Sequence, residues 1–136
     1  MENADLVIAG RAEGPVPGGP RIKKVGEVAE EELARLYSGA HALLVPSHYE
    51  GFGLPVLEAM QCGTPVIASR DPALLEVSGG AALHPSTPEE WVAAMRAVRR
   101  DRARYAAAGL RRAAEFSWRR TARMTWEVYG DALRAE

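Results

Sequence analysis

Cysteine is nearly absent from this chain, and that scarcity excludes whole classes of protein. The single Cys62 in 136 residues leaves no internal disulfide and no multi-cysteine metal site. It falls just past an expected helix, where packing is the ordinary role of a lone thiol. Long apolar runs are missing too: none approaches the roughly 18 residues that a membrane span needs. Residues 1–5 carry no basic region leading into an apolar stretch, so no signal peptide is expected and a cytoplasmic location is the expectation. An excess of either sign of charge is missing, with a formal net charge of −1, which gives no global reason to expect nucleic acid as a partner. Internal repeats, domain linkers and low-complexity tracts are also absent.

What is present is ordinary in bulk. Hydrophobic residues make up 47% and charged residues 26%, a soluble globular balance. The length suits one domain, residues 1–136. The charge is uneven, however. Between residues 96 and 123 lie ten arginines and only two acids, Asp101 and Glu115. Such a run reads as the solvated face of terminal helices, or as a patch meeting an anionic membrane surface or an acidic partner.

Short apolar runs alternate with helical patterns. Strands are expected at 6–9, 22–25, 42–45, 65–68 and 81–84, and helices at 30–38 and 55–61. Strands that are apolar on both faces and separated by helices point to a parallel sheet with covered faces. The last third is helical. Thr87-Pro88-Glu89-Glu90 combines a capping threonine, proline at the first position and glutamate at the third. Trp91, Val92, Met95 and Val98 then form one stripe. Asp101 and Ser117 start two further helices, the last at about 118–133 with Trp118, Ala122, Thr125/Trp126 and Tyr129 on one side.

The segment Glu50-Gly51-Phe52-Gly53-Leu54-Pro55-Val56-Leu57-Glu58 carries the chemistry. A strand ends at Val45, a loop runs over 46–54, and Pro55 opens a helix where its missing N–H is no loss. The loop therefore sits at the carboxyl edge of the sheet, where open α/β sheets bind ligands. Gly51 and Gly53 allow close backbone approach and positive φ. Their amides, with those of Phe52 and Leu54, can point at a diphosphate, helped by the helix dipole. Glu50 and Glu58 are acceptor-only groups suited to the vicinal hydroxyls of a ribose or hexose. On spacing alone a second reading stays open, with Glu50 capping the helix and Glu58 a surface acid.

Further residues extend the pattern: Val25-Gly26-Glu27-Val28, Leu44-Val45-Pro46-Ser47, Gly63-Thr64-Pro65-Val66-Ile67-Ala68-Ser69, Glu76-Val77 and Phe116-Ser117-Trp118. Together with the glutamate pair they resemble, over almost the whole chain, the nucleotide-sugar-binding C-terminal domain of retaining glycosyltransferases of the GT-B architecture (glycosyl transferases group 1). That family includes glycogen and sucrose synthases and bacterial mannosyltransferases. The resemblance implies a Rossmann-like three-layer α/β/α fold and hexose transfer from a nucleotide diphosphate sugar such as a UDP-, GDP- or ADP-hexose. It also implies that no metal or other cofactor is required. Glu50 is then the acid that contacts the transferred sugar and Glu58 the one that holds the ribose. Gly51, Phe52, Gly53 and Leu54 form the diphosphate and sugar clamp, and Val25, Gly26 and Val28 lie where the base binds. Glu76 is a further possible donor contact. His48 lies near the site with no visible acid partner, and reads as a loop residue or, less simply, a base.

The chain also departs from the pattern. Nothing corresponds to the family's N-terminal acceptor domain. The extra first strand and the basic pair that neutralises the diphosphate are missing as well: Arg11 lies only eleven positions before Ile22, too few for a crossover helix. The expected result is a truncated domain with a five-stranded sheet in the order 2-1-3-4-5. Donor affinity should be weak, there should be no turnover by the chain alone, and an exposed apolar face on the last helix should favour self-association. The readings left open beside a glycosyltransferase half are a non-catalytic nucleotide-binding module, a subunit of a split enzyme completed by a partner chain, and a scaffold that keeps only the fold.

Overall fold

The computed structural model describes residues 4–11, 15 and 18–134. The chain divides into two compact units, Met1–Leu36 and Tyr37–Glu136.

In the first unit, β1 (Leu6–Ala9) pairs in parallel with β2 (Ile22–Gly26), Leu6 opposite Ile22. The register slips between Ile8 and Ala9, so that Ala9 meets Gly26. Gly26 leaves the ladder at φ 68°, a left-handed turn suited to glycine. The connection over 10–21 is about as short as a parallel crossover allows; part of its glycine- and proline-rich stretch lies outside the described residues. Lys23 pairs with Asp5 and holds that carboxyl below the usual carboxylate range, and Arg11 meets Glu27 at 3.2 Å. Both ion pairs are exposed, so they contribute little to stability. Leu6 and Val7 are exposed as well. Within this unit the short β1–β2 pair leaves these apolar side chains without the cover that their sequence leads one to expect.

Helix α1 (Glu30–Gly39) opens with three glutamates, placed well against the positive end of the helix dipole. Its last turn, from Tyr37, belongs to the second unit.

In the second unit, β3 (Leu43–Val45) pairs in parallel with β4 (Val66–Ala68), and Leu83 makes a parallel bridge to Ile67. β4 is buried throughout. Ile67 packs with Ala94 and Val98 of α4 (Pro88–Arg100), backed by Leu44, Leu83, Trp91 and Met95. Side chains alternate along a strand, so Val66 and Ala68 face the other side. There α2 (Leu54–Gln61) packs on β3 and β4, and α3 (Pro72–Ser78) packs on α2. α5 (Arg102–Ala113) closes on α2 at Gly109, where an added β-carbon would stand 3.0 Å from Met60 Cγ. Helix, sheet and helix thus form three layers.

The caps explain where the helices begin. Thr87 Oγ1 accepts from Glu90 N, as the sequence pattern predicts, but the Glu90 carboxylate accepts from Ser86 N rather than from the threonine's own amide. Asp101 caps α5 through Arg104 N, and Ser117 caps α6 (Trp118–Arg134) through Arg120 N. Val92, expected on the buried stripe of α4, is exposed, and Ala94 takes its place.

The α/β class with parallel strands holds, and three expected neighbour pairs are present: first with second, third with fourth, and fourth with the fifth segment. Two details differ. Ladder hydrogen bonds run in two two-stranded sheets, one in each unit. The fifth strand is reduced to the single bridge at Leu83, because the Gly79-Gly80 turn and Pro85 leave room for little more. No helix among the described residues is long and apolar enough to cross a membrane.

Candidate functional site

The loop after β3 meets α2 at Gly53, and the geometry there is specific. Gly53 is the N-cap, at φ 95° and ψ 40°, and no side chain caps the helix. Glu50 is therefore not a helix cap, which removes the simpler of its two sequence readings. Gly53 is buried, and a β-carbon on it would lie 2.8 Å from Leu74 Cδ2 and 3.2 Å from Val77 Cγ1 of α3. Its glycine is demanded by the fold. Gly51 differs: it is exposed, has no left-handed φ, and an added β-carbon would meet nothing within 4 Å. Nothing inside the protein requires a glycine there.

Pro55 is in the first turn of α2, where amides have no intrahelical partner in any case. Glu50 is half-buried in the loop, while Tyr49 and His48 are exposed beside it. Glu58 sits one turn into α2 on its exposed side. Its Oε2 accepts a hydrogen bond from the Tyr37 hydroxyl at 3.2 Å. Burial first, and then the charge of Glu58, push the Tyr37 phenol well above its ordinary pKa, so the hydroxyl remains a donor.

Phe52 is half-exposed and its ring meets Phe116 edge-on, with centroids 6.4 Å apart at 79°. The Arg112 guanidinium stacks on the other partner, 4.7 Å from the Phe116 centroid. Arg112 also donates through Nε to Val77 O at 2.9 Å and through Nη2 to Glu76 O at 2.7 Å, and pairs with Glu115. These carbonyls belong to the last turn of α3, whose free acceptors need donors. One arginine thus fixes the helix that abuts Gly53 and the ring that abuts Phe52. The side chain of Glu76, a possible donor contact, is exposed at the same helix end.

Below the loop, Ser69 Oγ donates to Ser47 O. His84 Nδ1 lies 2.9 Å from Ser69 O and Nε2 lies 2.9 Å from Ser78 Oγ. A carbonyl only accepts, so Nδ1 carries a proton and donates to Ser69 O. The network ties the ends of β3, β4 and α3 together. Val25, Gly26 and Val28 lie in the first unit, at the end of β2 and in the turn into α1.

Residues 2–114 match the family described as glycosyl transferases group 1. The chain belongs to this glycosyltransferase family. Among curated group 1 relatives, D-inositol 3-phosphate glycosyltransferase of Nocardioides is 41% identical over 125 residues, covering 87% of this chain and 27% of the relative. O-antigen chain mannosyltransferase B of Escherichia coli is 40% identical over 113 residues, covering 79% of this chain and 30% of its own length. Among solved structures, sucrose-phosphate synthase of Thermosynechococcus elongatus superposes with a TM-score of 0.76 at 32% identity, over 87% of this chain and 32% of that one. The chain thus spans about a third or less of the length of these relatives. Helix α6 lies beyond the matched stretch.

Three contributors escape the motif. Tyr37 reads in the sequence only as part of an apolar helix face, with nothing to show that its hydroxyl reaches Glu58. Arg112 is hidden among ten arginines. Phe116 stands out in the sequence, but its pairing with Phe52 spans 64 positions and leaves no local signal.

Proposed function

We infer that this chain is the donor-binding part of a retaining glycosyltransferase, one that transfers a hexose from a nucleotide diphosphate sugar. The observation that carries this reading is the contrast between the two glycines. Gly53 is required by its backbone angle and by α3, whereas Gly51 faces open space beside Glu50. A glycine with no internal reason fits a backbone that must come close to a ligand. The helix start behind it is uncapped by any side chain and favours phosphate. Family membership and the transferase names of the relatives point the same way.

In this reading Glu58 accepts from the ribose hydroxyls and Glu50 from those of the transferred sugar. The amides of Gly51, Phe52, Gly53 and Leu54 hold the diphosphate and steady its charge as it departs. The departing phosphate takes the acceptor's proton, so neither an enzymic nucleophile nor a metal is needed. His48 and Glu76 remain at the margin of the site, and Val25, Gly26 and Val28 serve the base. The acceptor site lies outside these residues, in a further domain or a partner chain, and the 136 residues alone bind donor without turnover. The apolar stripe of α6, with Trp118, Trp126, Tyr129 and Leu133 all exposed, is the surface that such a domain would cover. Left uncovered, it favours self-association.

Calorimetric titration of UDP, GDP and ADP into the 136-residue chain tests the assignment, with Gly51→Ala and Glu58→Ala alongside. Binding of one nucleotide that both substitutions weaken supports it. Absence of binding at millimolar concentration supports instead a scaffold that keeps only the fold.

A further inference from the structure

We propose that Tyr37 is a positioning residue for the donor site: its hydroxyl fixes the Glu58 carboxylate in the orientation that accepts from the ribose, and so sets selectivity for a ribose over a deoxygenated sugar. The proposal rests on the reading of Glu58 given above.

The geometry has three parts. Glu58 extends from the exposed side of α2, where a glutamate is otherwise free to sample several rotamers. Tyr37 Oη donates to Glu58 Oε2 at 3.2 Å, which restrains that freedom and leaves Oε1 for a ligand hydroxyl. Tyr37 is itself immobilised. It is the one buried residue of α1, at 8% exposure, and its carbonyl accepts from Thr64 Oγ1 at 2.5 Å. Thr64 is fully buried, and its amide donates to Ala59 O of α2. The phenol that orients Glu58 is thus anchored to the same helix that carries Glu58.

The chemistry of the donor matters as well. A lysine or arginine in this place would neutralise the carboxylate and compete with the sugar for both oxygens. A neutral hydroxyl occupies one lone pair and leaves the negative charge intact, which suits a group that must accept from a diol. The raised pKa of Tyr37 keeps it a donor at any physiological pH.

The test uses Tyr37→Phe, which keeps the buried ring and removes only the hydroxyl, in the wild-type chain and in a Glu58→Ala background. Dissociation constants are measured for UDP, GDP and ADP and for the 2′,3′-dideoxy form of whichever binds. Tyr37→Phe should weaken the ribonucleotide about three- to tenfold, the usual worth of one hydrogen bond. It should leave the dideoxy nucleotide nearly unchanged and have no further effect once Glu58 is alanine. Equal losses for both sugars, or the same loss in the Glu58→Ala background, would show that Tyr37 acts only through packing and overturn the proposal. Should Glu58→Ala alone leave ribose selectivity intact, the assignment of Glu58 itself fails, and the role of Tyr37 falls with it.

Discussion

Replacing Gly53 by alanine sets a β-carbon 2.8 Å from Leu74 Cδ2 and 3.2 Å from Val77 Cγ1, in a residue held at φ 95°. Two costs add. A non-glycine residue in a left-handed conformation costs about 1–2 kcal/mol. Overpacking a methyl group costs about 1–3 kcal/mol where neighbours cannot retreat. Leu74 is 0% exposed and Val77 3%, and Arg112 holds the last turn of their helix from the far side. The expected destabilisation is therefore about 2–5 kcal/mol. Urea unfolding followed by circular dichroism measures it as a lower midpoint with an unchanged slope. Gly51→Ala is the internal control. Nothing lies within 4 Å of the added carbon, so its stability should stay within about 0.5 kcal/mol of wild type while nucleotide binding falls. If Gly53→Ala unfolds at the wild-type midpoint, the contact between the loop and α3 is not what the structure shows. If Gly51→Ala is the destabilised one, the argument that its glycine answers to a ligand collapses.

Other consequences follow from the same contacts. Arg112→Met removes two hydrogen bonds to α3 carbonyls and the stacking on Phe116, and should cost about 1–3 kcal/mol in unfolding free energy. Arg112→Lys should recover little of it, because an ammonium group cannot reproduce the planar fork. The Tyr37 phenol has its pKa raised in the fold, so the folded state keeps a proton that the unfolded chain releases. Its contribution is whole below the ordinary tyrosine value of about 10 and is lost as pH rises beyond it. Melting temperatures across that alkaline window should fall more steeply for wild type than for Tyr37→Phe. A pair of serines in place of Trp126 and Leu133, which are 78% and 77% exposed on α6, should shift sedimentation toward the monomer without altering the melting temperature. An unchanged profile would argue against self-association through that stripe.

Local chemistry in this chain is easy to read. The capping run at Thr87, the cap at Asp101 and the loop that opens α2 all announce themselves, because each rests on residues within four positions of one another. The helix Pro72–Ser78 carries a comparable signal, since Asp71 accepts from Ala73 N and Leu74 N with proline next to it, yet its seven residues are too short to show a clear periodicity. Pairing across the chain is harder. An apolar run at 81–84 has the composition of a strand but only Leu83 joins the ladder, and composition does not reveal how many residues a turn leaves available. The apolar residues of β1 call for cover that its own unit does not provide. At the candidate site, the glutamates and glycines stand together in one short stretch and were named from it with the help of the family resemblance. Tyr37, Arg112 and Phe116 were not, because they come from distant parts of the chain: α1, α5 and the turn after α5.

The account stands or falls on Glu58. Titration of UDP, GDP and ADP into the chain, repeated with Glu58→Ala, tests it directly. At least one nucleotide should bind, and the substitution should weaken it about tenfold or more, as expected when hydrogen bonds to a charged acceptor are lost. Equal affinity for the wild type and Glu58→Ala would contradict the assignment of this carboxylate to the ribose, and with it the central claim that the loop from Glu50 to Glu58 is a nucleotide-sugar site.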